Sequence, residues 1–106
     1  MGEELVALIT ASGREEAQRI GTILVEERLA ACVNIVPEVQ SFFFWEGRSR
    51  DEREVLLIVK SRMPLWERLV ARVRAVHSYT VPEIIALPIV AGYPDYLDWL
   101  RETTNG

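Results

Sequence analysis

The amino-acid sequence predicts an α+β fold in which one four-stranded antiparallel sheet has two helices on one face. Short apolar runs typical of strands alternate with segments of helical periodicity. Two of these runs are unusually long and are joined by a polar segment that contains glycine, which is typical of a β-hairpin. Because 106 residues suit one domain, we expect a single domain over residues 1–106.

The first strand and the first helix are predicted before residue 30. Residues 5–9 form a continuous apolar run, which indicates a buried strand. Ser12 precedes Glu15 by three residues, the spacing of a capping box in which two side chains satisfy free amide groups of a first helical turn. Apolar residues at helical spacing follow as far as Leu29, and Glu15 and Glu16 lie on the predicted solvated face.

The central hairpin joins residues 31–45 to residues 54–62 through a predicted turn at 46–50. A compact chain of this length is roughly 33 Å across, whereas a strand of about 12 residues rises roughly 40 Å, so the hairpin should overhang its own domain. Pro37 cannot donate to a ladder and therefore predicts a bulge or a bend. The four aromatic residues 42–45 alternate between both faces, and we expect a neighbouring subunit to cover them.

The remaining elements follow the same alternation. A helix should begin at Pro64 and end near His77, since apolar residues recur at every third or fourth position between them. Residues 84–90 predict a fourth strand, which Pro88 marks as an edge or bulged strand, and residues 95–102 predict a short C-terminal helix. With right-handed crossovers this order gives the ferredoxin-like βαββαβ arrangement, whose open apolar face should associate with another sheet.

Composition and charge exclude several classes of protein. The net charge of −4 and the interleaving of arginines with acidic residues leave no basic face, so we expect no nucleic-acid partner. No apolar stretch reaches the roughly 20 residues that cross a bilayer, and residues 1–4 are acidic where a signal peptide would be basic, so we expect no membrane partner. The single cysteine, Cys32, fits a reducing compartment, and we expect a cytoplasmic protein.

Four motifs occur in order along the chain: LVEERLAACVNIVP at 24–37, WEG at 45–47, HSYTVPEI at 77–84 and YLDWL at 96–100. Together they resemble the CutA family, the divalent-cation tolerance proteins. The resemblance implies a ferredoxin-like subunit, a homotrimer in which the long hairpin pairs with neighbours, a likeness to the PII signalling proteins and an association with copper tolerance. It implies no established catalytic activity.

The candidate site residues come from these motifs. The metal candidates are His77, Cys32 and Glu83, with copper or another divalent ion as the expected metal. The candidate ligand cleft consists of Lys60, His77, Tyr79, Glu83 and Trp45. Relatives described as copper-binding have a cysteine and two adjacent histidines where this chain has Ile9, Val76 and His77, so one of three ligands is present. The alternatives are that Cys32 is a buried strand residue and that His77 contacts helix-terminal carbonyls.

Three functions are compatible with the sequence. The first is a non-enzymatic, homotrimeric protein of divalent-metal tolerance that binds metal ions weakly. The second is a PII-like sensor that binds a small anionic metabolite in clefts between subunits, with Lys60 and His77 supplying the attraction. The third is a trimeric scaffold for a partner protein. An enzyme is not expected, because one histidine and isolated serines form no nucleophile–base pair, and pairs such as Glu15–Glu16 are expected to be solvated.

Overall fold

The computed structural model of the chain describes residues 2–104 and contains, within that range, four strands and three α-helices. In chain order they are β1 (Glu4–Ala11), α1 (Arg14–Glu26), β2 (Cys32–Trp45), β3 (Arg48–Arg62), α2 (Trp66–Val76), β4 (Ile84–Pro88) and α3 (Pro94–Thr103). A single 3-10 turn at Met63–Leu65 leads into α2. The ferredoxin-like order and the C-terminal helix are therefore confirmed.

The strands form one antiparallel sheet in the order β2-β3-β1-β4. Residues that face each other across the ladder share a face, so Ala7, Val59 and Val33 lie together on one side. This is the side that α1 and α2 cover, and it holds the core. The fully buried large apolar side chains there are Leu5, Ile9, Ile20, Leu24, Leu57, Val59, Leu69 and Val73.

The opposite face of the sheet is only partly covered, by α3. Arg101 of α3 donates to Glu4 at 2.7 Å, and Nε of Arg62 donates to the Thr104 hydroxyl at 2.8 Å, which fastens the end of the helix to β1 and β3. Farther along this open face the apolar side chains of Ile85 and Leu87 are about half exposed. The apolar character expected for the open face is therefore present.

The hairpin contains the bulge that Pro37 predicted. Val36 pairs with Leu56 and Val39 pairs with Glu54, so Pro37 and Glu38 together oppose a single residue of β3. Beyond this bulge the hairpin continues without β1 as a neighbour. The molecule measures 44 Å along its longest axis and 25 and 23 Å along the other two, which agrees with the expected overhang.

The turn of the hairpin is shorter than the sequence suggested. Predicted over residues 46–50, it consists of Glu46 and Gly47, both with left-handed backbone, at φ 52° and 84°. A two-residue turn of this kind matches the twist of the flanking strands, so β3 begins at Arg48 rather than at residue 54. The charged residues after the turn therefore alternate along a strand instead of forming a loop.

The first helix also begins differently from the prediction. The capping box was assigned to Ser12 and Glu15, but Gly13 precedes the first turn and Glu16 makes the contact with Ser12. The helix ends at Glu26, because Arg28 adopts a left-handed backbone at φ 60°. The expectation that Glu16 is solvated is wrong, since only 6% of its surface is exposed.

Candidate functional site

A cleft lies at the base of the overhanging hairpin, where β1 has ended and β3 has lost its second neighbour. Its volume is about 650 Å³. The segment between α2 and β4 forms one wall and the hairpin forms the other. The lining residues are Thr10, Ser41, Phe42, Phe43, Trp45, Arg50, Glu52, Glu54, Ser78, Tyr79, Thr80, Val81 and Glu83.

His77 anchors the segment that forms the first wall. Its Nε2–H donates to the carbonyl oxygen of Thr10 at 2.8 Å, and its Nδ1 accepts the backbone N–H of Tyr79 at 3.0 Å. This pattern corresponds to the neutral Nε2–H tautomer, because an atom that accepts a hydrogen bond bears no proton. The imidazole is fully buried and packs against the Tyr79 ring at a centroid distance of 4.7 Å. Both ring nitrogens are therefore engaged inside the protein.

Glu16 fastens the same segment to the start of α1. Its carboxylate accepts hydrogen bonds from the backbone N–H and the hydroxyl of Ser12, both at 2.9 Å, and from the backbone N–H of Ser78 at 2.6 Å. Burial by itself would raise the pKa of Glu16, but these hydrogen bonds outweigh it and lower the pKa from 4.5 to about 2. Glu16 is thus an ionised structural residue at neutral pH.

Tyr79 and Glu54 connect the two walls of the cleft. The Tyr79 hydroxyl donates to Oε2 of Glu54 at 2.7 Å. Burial, together with this bond to a carboxylate, raises the pKa of the Tyr79 phenol above its usual range, so the phenol keeps its proton. Glu54 is only 8% exposed, and among residues 2–104 no Lys, Arg or His forms an ion pair with it.

The mouth of the cleft has further charges. Glu52 lies two residues before Glu54 on the same face of β3, and Glu83 faces them from the opposite wall. Burial, and then the proximity of Glu54, raises the pKa of Glu83. Arg50 is the one cation among the lining residues of the described chain; its Nη2 lies 3.3 Å from Glu46, and its Nε is buried without a hydrogen-bond partner. The cleft therefore has a net negative charge.

The four aromatic side chains of the hairpin divide between its faces. Phe43 and Trp45 lie opposite Arg50 and Arg48 on the face of the cleft, and they are 40% and 43% exposed. Phe42 and Phe44 project mainly to the other side, at 71% and 73% exposed. The cleft thus has an aromatic wall as well as acidic groups.

Of the residues predicted to form the ligand cleft, the structure brings together Trp45, Tyr79 and Glu83, with His77 directly behind Tyr79. Lys60 lies four residues beyond Leu56, the partner of Thr10, and hence about 13 Å farther along β3. Within one chain Lys60 therefore does not reach this cleft, and its predicted place in a cleft between subunits stays a prediction. The physical reason is the extended backbone of β3, which separates its two ends.

Cys32 lies beside Lys60, not beside His77. The two residues are paired across β2 and β3, and both contact the side-chain oxygen of Asn34, Cys32 through its Sγ at 3.7 Å. Cys32 is half-buried, and its neighbour Tyr96 has a pKa raised by burial and then by the cysteine. A metal site made of Cys32, His77 and Glu83 is thus not assembled within one chain. Across residues 2–104 no three His, Cys, Asp or Glu side chains converge in a way that could hold a metal ion.

Sequence reasoning missed Glu54, Glu52 and Arg50 as cleft residues. A signal was present, because these three alternate at every second position, the period of one face of a strand. The turn predicted over residues 46–50 hid this pattern. Glu16 was missed because its burial depends on Ser78, which is distant in sequence.

The fold and the cleft define a ferredoxin-like α+β protein with an overhanging hairpin and an acidic, aromatic-walled cleft at its base. The model of the family "CutA1 divalent ion tolerance protein" matches residues 5–103. The chain belongs to this family. The family name refers to divalent-cation tolerance rather than to a catalysed reaction.

Several relatives support the same assignment. The divalent-cation tolerance protein CutA of Thermus thermophilus is 54% identical over 102 residues, which cover 96% of this chain and 99% of the relative. A solved structure of the Thermus thermophilus protein has a TM-score of 0.93 at 53% identity, covering 94% of this chain and 97% of that chain. A structure from Archaeoglobus fulgidus, named as a periplasmic divalent cation tolerance protein, has a TM-score of 0.92 at 44% identity, covering 95% and 98%.

The relatives differ in length and in compartment. A chloroplastic CutA protein of Arabidopsis thaliana is 46% identical over 95% of this chain, and this match spans 56% of the plant protein. In the described part of the chain, residues 2–104, every helix is too short or too polar to cross a membrane.

Proposed function

We propose that this protein acts in divalent-cation tolerance by binding divalent cations weakly in the acidic cleft, without catalysing a reaction. The observation on which this rests is Glu54, a carboxylate that is 92% buried yet has the Tyr79 hydroxyl in place of a cation as its partner. A buried charge without a counter-charge is costly, and a bound cation offsets that cost. Glu52 and Glu83 add to the attraction at the mouth.

Weak binding is expected because the carboxylates share a cleft without converging on one point. Carboxylate oxygens suit hard cations such as Mg²⁺ and Mn²⁺, which keep several of their waters when few protein ligands are present. The proposal that no reaction is catalysed is supported by the names of the family and of its relatives, which refer to divalent-cation tolerance rather than to a catalysed reaction.

Copper binding through His77, Cys32 and Glu83 has less support. Copper prefers imidazole and sulfur ligands. Both ring nitrogens of His77 already have partners, and Cys32 lies on a different part of the sheet. A copper site would therefore have to combine Cys32 of one subunit with Glu83 of another.

The proposed assembly is a homotrimer in which a neighbour covers the exposed hairpin. Phe42 and Phe44 are more than 70% exposed, and Ile85 and Leu87 are about half exposed on the open face. Soluble proteins rarely leave so large an apolar surface in water, so another subunit is its natural cover. Light scattering after size exclusion should give the trimer mass, and the paired change Phe42→Ser and Phe44→Ser should lower it. Val90→Ser, at an equally apolar position that is 92% exposed, is the control.

The two alternatives are less well supported. A small anionic metabolite would meet the net negative charge of the cleft, and Lys60 lies outside it unless a neighbouring subunit contributes that residue. A scaffold is favoured only by the exposed aromatic residues, which the trimer already explains. The cytoplasmic location stays a prediction; it rests on the single cysteine, and relatives are named as chloroplastic and periplasmic.

Isothermal titration calorimetry tests the cation proposal. Mg²⁺ and Mn²⁺ should bind with dissociation constants on the order of 1 mM, and Cu²⁺ should show no strong preference. The double change Glu54→Gln and Glu83→Gln should abolish the heat of binding. Glu67→Gln removes an exposed carboxylate from α2, away from the cleft, and should leave it intact. Equal loss in both variants, or no binding to the unaltered protein, would refute the proposal.

A further inference from the structure

We infer that the acidic cleft also binds an aliphatic polyamine, with ammonium groups at Glu52, Glu54 and Glu83 and the methylene chain along Phe43 and Trp45. The inference rests on the proposed function in one respect, that the cleft is open to cations. It goes further in naming an organic cation of extended shape.

The spacing of the carboxylates favours an extended cation over a metal ion. Glu52 and Glu54 are two residues apart on one face of β3, and their Cα atoms are therefore about 7 Å apart. Glu83 faces them from the other wall. Since these groups do not converge as ligands of one ion, a point charge satisfies one of them at a time. A polyamine distributes its charges along a chain and can satisfy several at once.

Glu54 provides a built binding point rather than a surface charge. Its side chain is held in place by the Tyr79 hydroxyl through Oε2, and the residue is 8% exposed. Its other oxygen, Oε1, accepts no hydrogen bond within residues 2–104. In that range the one side-chain polar atom that is both buried and without a partner is Nε of Arg50, so Oε1 of Glu54 is not buried. That oxygen is therefore available at the cleft surface. An ammonium group donates up to three hydrogen bonds and supplies the missing counter-charge.

The aromatic wall distinguishes the two kinds of cation. Phe43, Trp45 and Tyr79 line the cleft beside the carboxylates. Aromatic faces attract alkylammonium ions through cation–π contacts and cover methylene groups from water, whereas a hydrated divalent ion gains little from them. The volume of about 650 Å³ lies within the range of small-molecule pockets.

Arg50 does not neutralise the cleft. Three carboxylates line it against this one guanidinium, whose Nη2 lies 3.3 Å from Glu46 at the tip of the hairpin. Glu46 is not among the lining residues, and within residues 2–104 Arg50 forms no ion pair with Glu52 or Glu54. The field inside the cleft remains negative and suits a ligand with more than one positive charge.

Calorimetric titration of the full chain with spermidine at low ionic strength tests the inference. Butylamine serves as a single-charge control, and Mg²⁺ is titrated in parallel. Spermidine should bind at least tenfold more tightly than butylamine, because it engages several carboxylates, and high salt should weaken it. Trp45→Leu should weaken spermidine binding about threefold or more and leave Mg²⁺ binding unchanged.

Carboxylate variants complete the design. Glu54→Gln keeps an acceptor for the Tyr79 hydroxyl and should weaken spermidine binding at least tenfold. Glu83→Gln alters an exposed side chain and should weaken it severalfold, so it serves if the buried change prevents folding. Glu67→Gln is the matched control and should bind spermidine like the unaltered protein.

The outcomes separate this inference from the proposed function. Mg²⁺ binding without spermidine binding overturns the inference and leaves the proposed function standing. Spermidine binding without Mg²⁺ binding supports the inference and refutes the proposed function. Spermidine binding that is no tighter than that of butylamine, or that survives Glu83→Gln unchanged, overturns the inference.

Discussion

The two halves of the long hairpin, on either side of the bulge at Pro37, both contain large apolar side chains, but these lie in opposite environments. Toward the body of the protein, Leu57 and Val59 are completely buried. Toward the tip, Phe42 and Phe44 are more than 70% exposed. The difference is the number of neighbours, because the body half has β1 beside it and helices above it, whereas the tip half has only its own partner strand.

The cleft lies at the boundary between these two halves. Glu54 is the first residue of β3 beyond the register of β1, which ends opposite Val55. There the ladder has a free side, and the segment from His77 to Glu83 occupies part of it. The loss of one neighbouring strand therefore leaves space beside β3 for the cleft, and the segment between α2 and β4 forms its other wall.

The largest effect is expected in the body half. Leu57→Ala should lower the free energy of unfolding by about 4 kcal/mol, because it opens a cavity in a core that leaves no part of Leu57 exposed. Urea denaturation measures the change. Val90→Ala, at 92% exposure, should change it by no more than about 0.5 kcal/mol. Similar losses for both would contradict the division between body and surface.

Glu16, which holds the cleft wall to the body, should make stability depend on pH. Its pKa is about 2 in the folded protein against 4.5 ordinarily, so its contribution of about 3 kcal/mol is present above pH 4.5 and is lost as pH falls toward 2. Glu16→Gln should therefore be destabilised at pH 7 by up to this amount, and the difference should shrink between pH 4.5 and pH 2.

The control for that pH series is Glu15→Gln, one residue away on the exposed side of α1. Urea denaturation at several pH values should show a nearly constant, small difference for this variant. A difference for Glu16→Gln that did not narrow in acid would show that the charge of Glu16 does not anchor the wall.

A smaller effect is expected at the tip of the hairpin. Gly47→Ala should lower the free energy of unfolding by about 1 kcal/mol, because a side chain is disfavoured at φ 84°. Glu46→Asn should act in the opposite direction by a few tenths of a kcal/mol, since asparagine tolerates the left-handed backbone that Glu46 adopts. Equal effects of the same sign would argue against this turn geometry.

The smallest effect is expected at the bulge itself. Arg53 and Glu38 form an ion pair there, with side chains 69% and 59% exposed. Arg53→Ala should cost no more than about 0.5 kcal/mol, because water screens such a pair, and added salt should erase the difference. A loss above about 1 kcal/mol would mean that the pair determines the bend rather than Pro37.

Much of the fold could be predicted from particular residues. The helical spacing of Leu65, Leu69 and Val73, the apolar run at residues 5–9 and Pro37 led to elements that the structure contains. The errors concern boundaries. The predicted turn is too wide because Arg48, Ser49 and Arg50 are polar, and polar residues on an overhanging strand resemble those of a loop.

The site was predictable in part. The motif at residues 77–84 contains Tyr79 and Glu83, and both line the cleft together with Trp45. Lys60 and Cys32 were assigned to the same place because both stand at strand ends, and sequence does not state how far apart those ends lie. His77 was a reasonable ligand candidate until its two ring nitrogens were found bonded to Thr10 and Tyr79.

The sequence by itself determined the order of the elements, the bulge and the overhang, since these follow from local periodicity, from proline and from strand length. Only the tertiary structure decided which polar groups are buried and which partners they bind. Glu15 and Glu16 are neighbours of the same type, yet Ser78 and the packing of α1 bury one and leave the other in water. Charge and burial at a residue depend on partners from distant parts of the chain, and local pattern does not encode those partners.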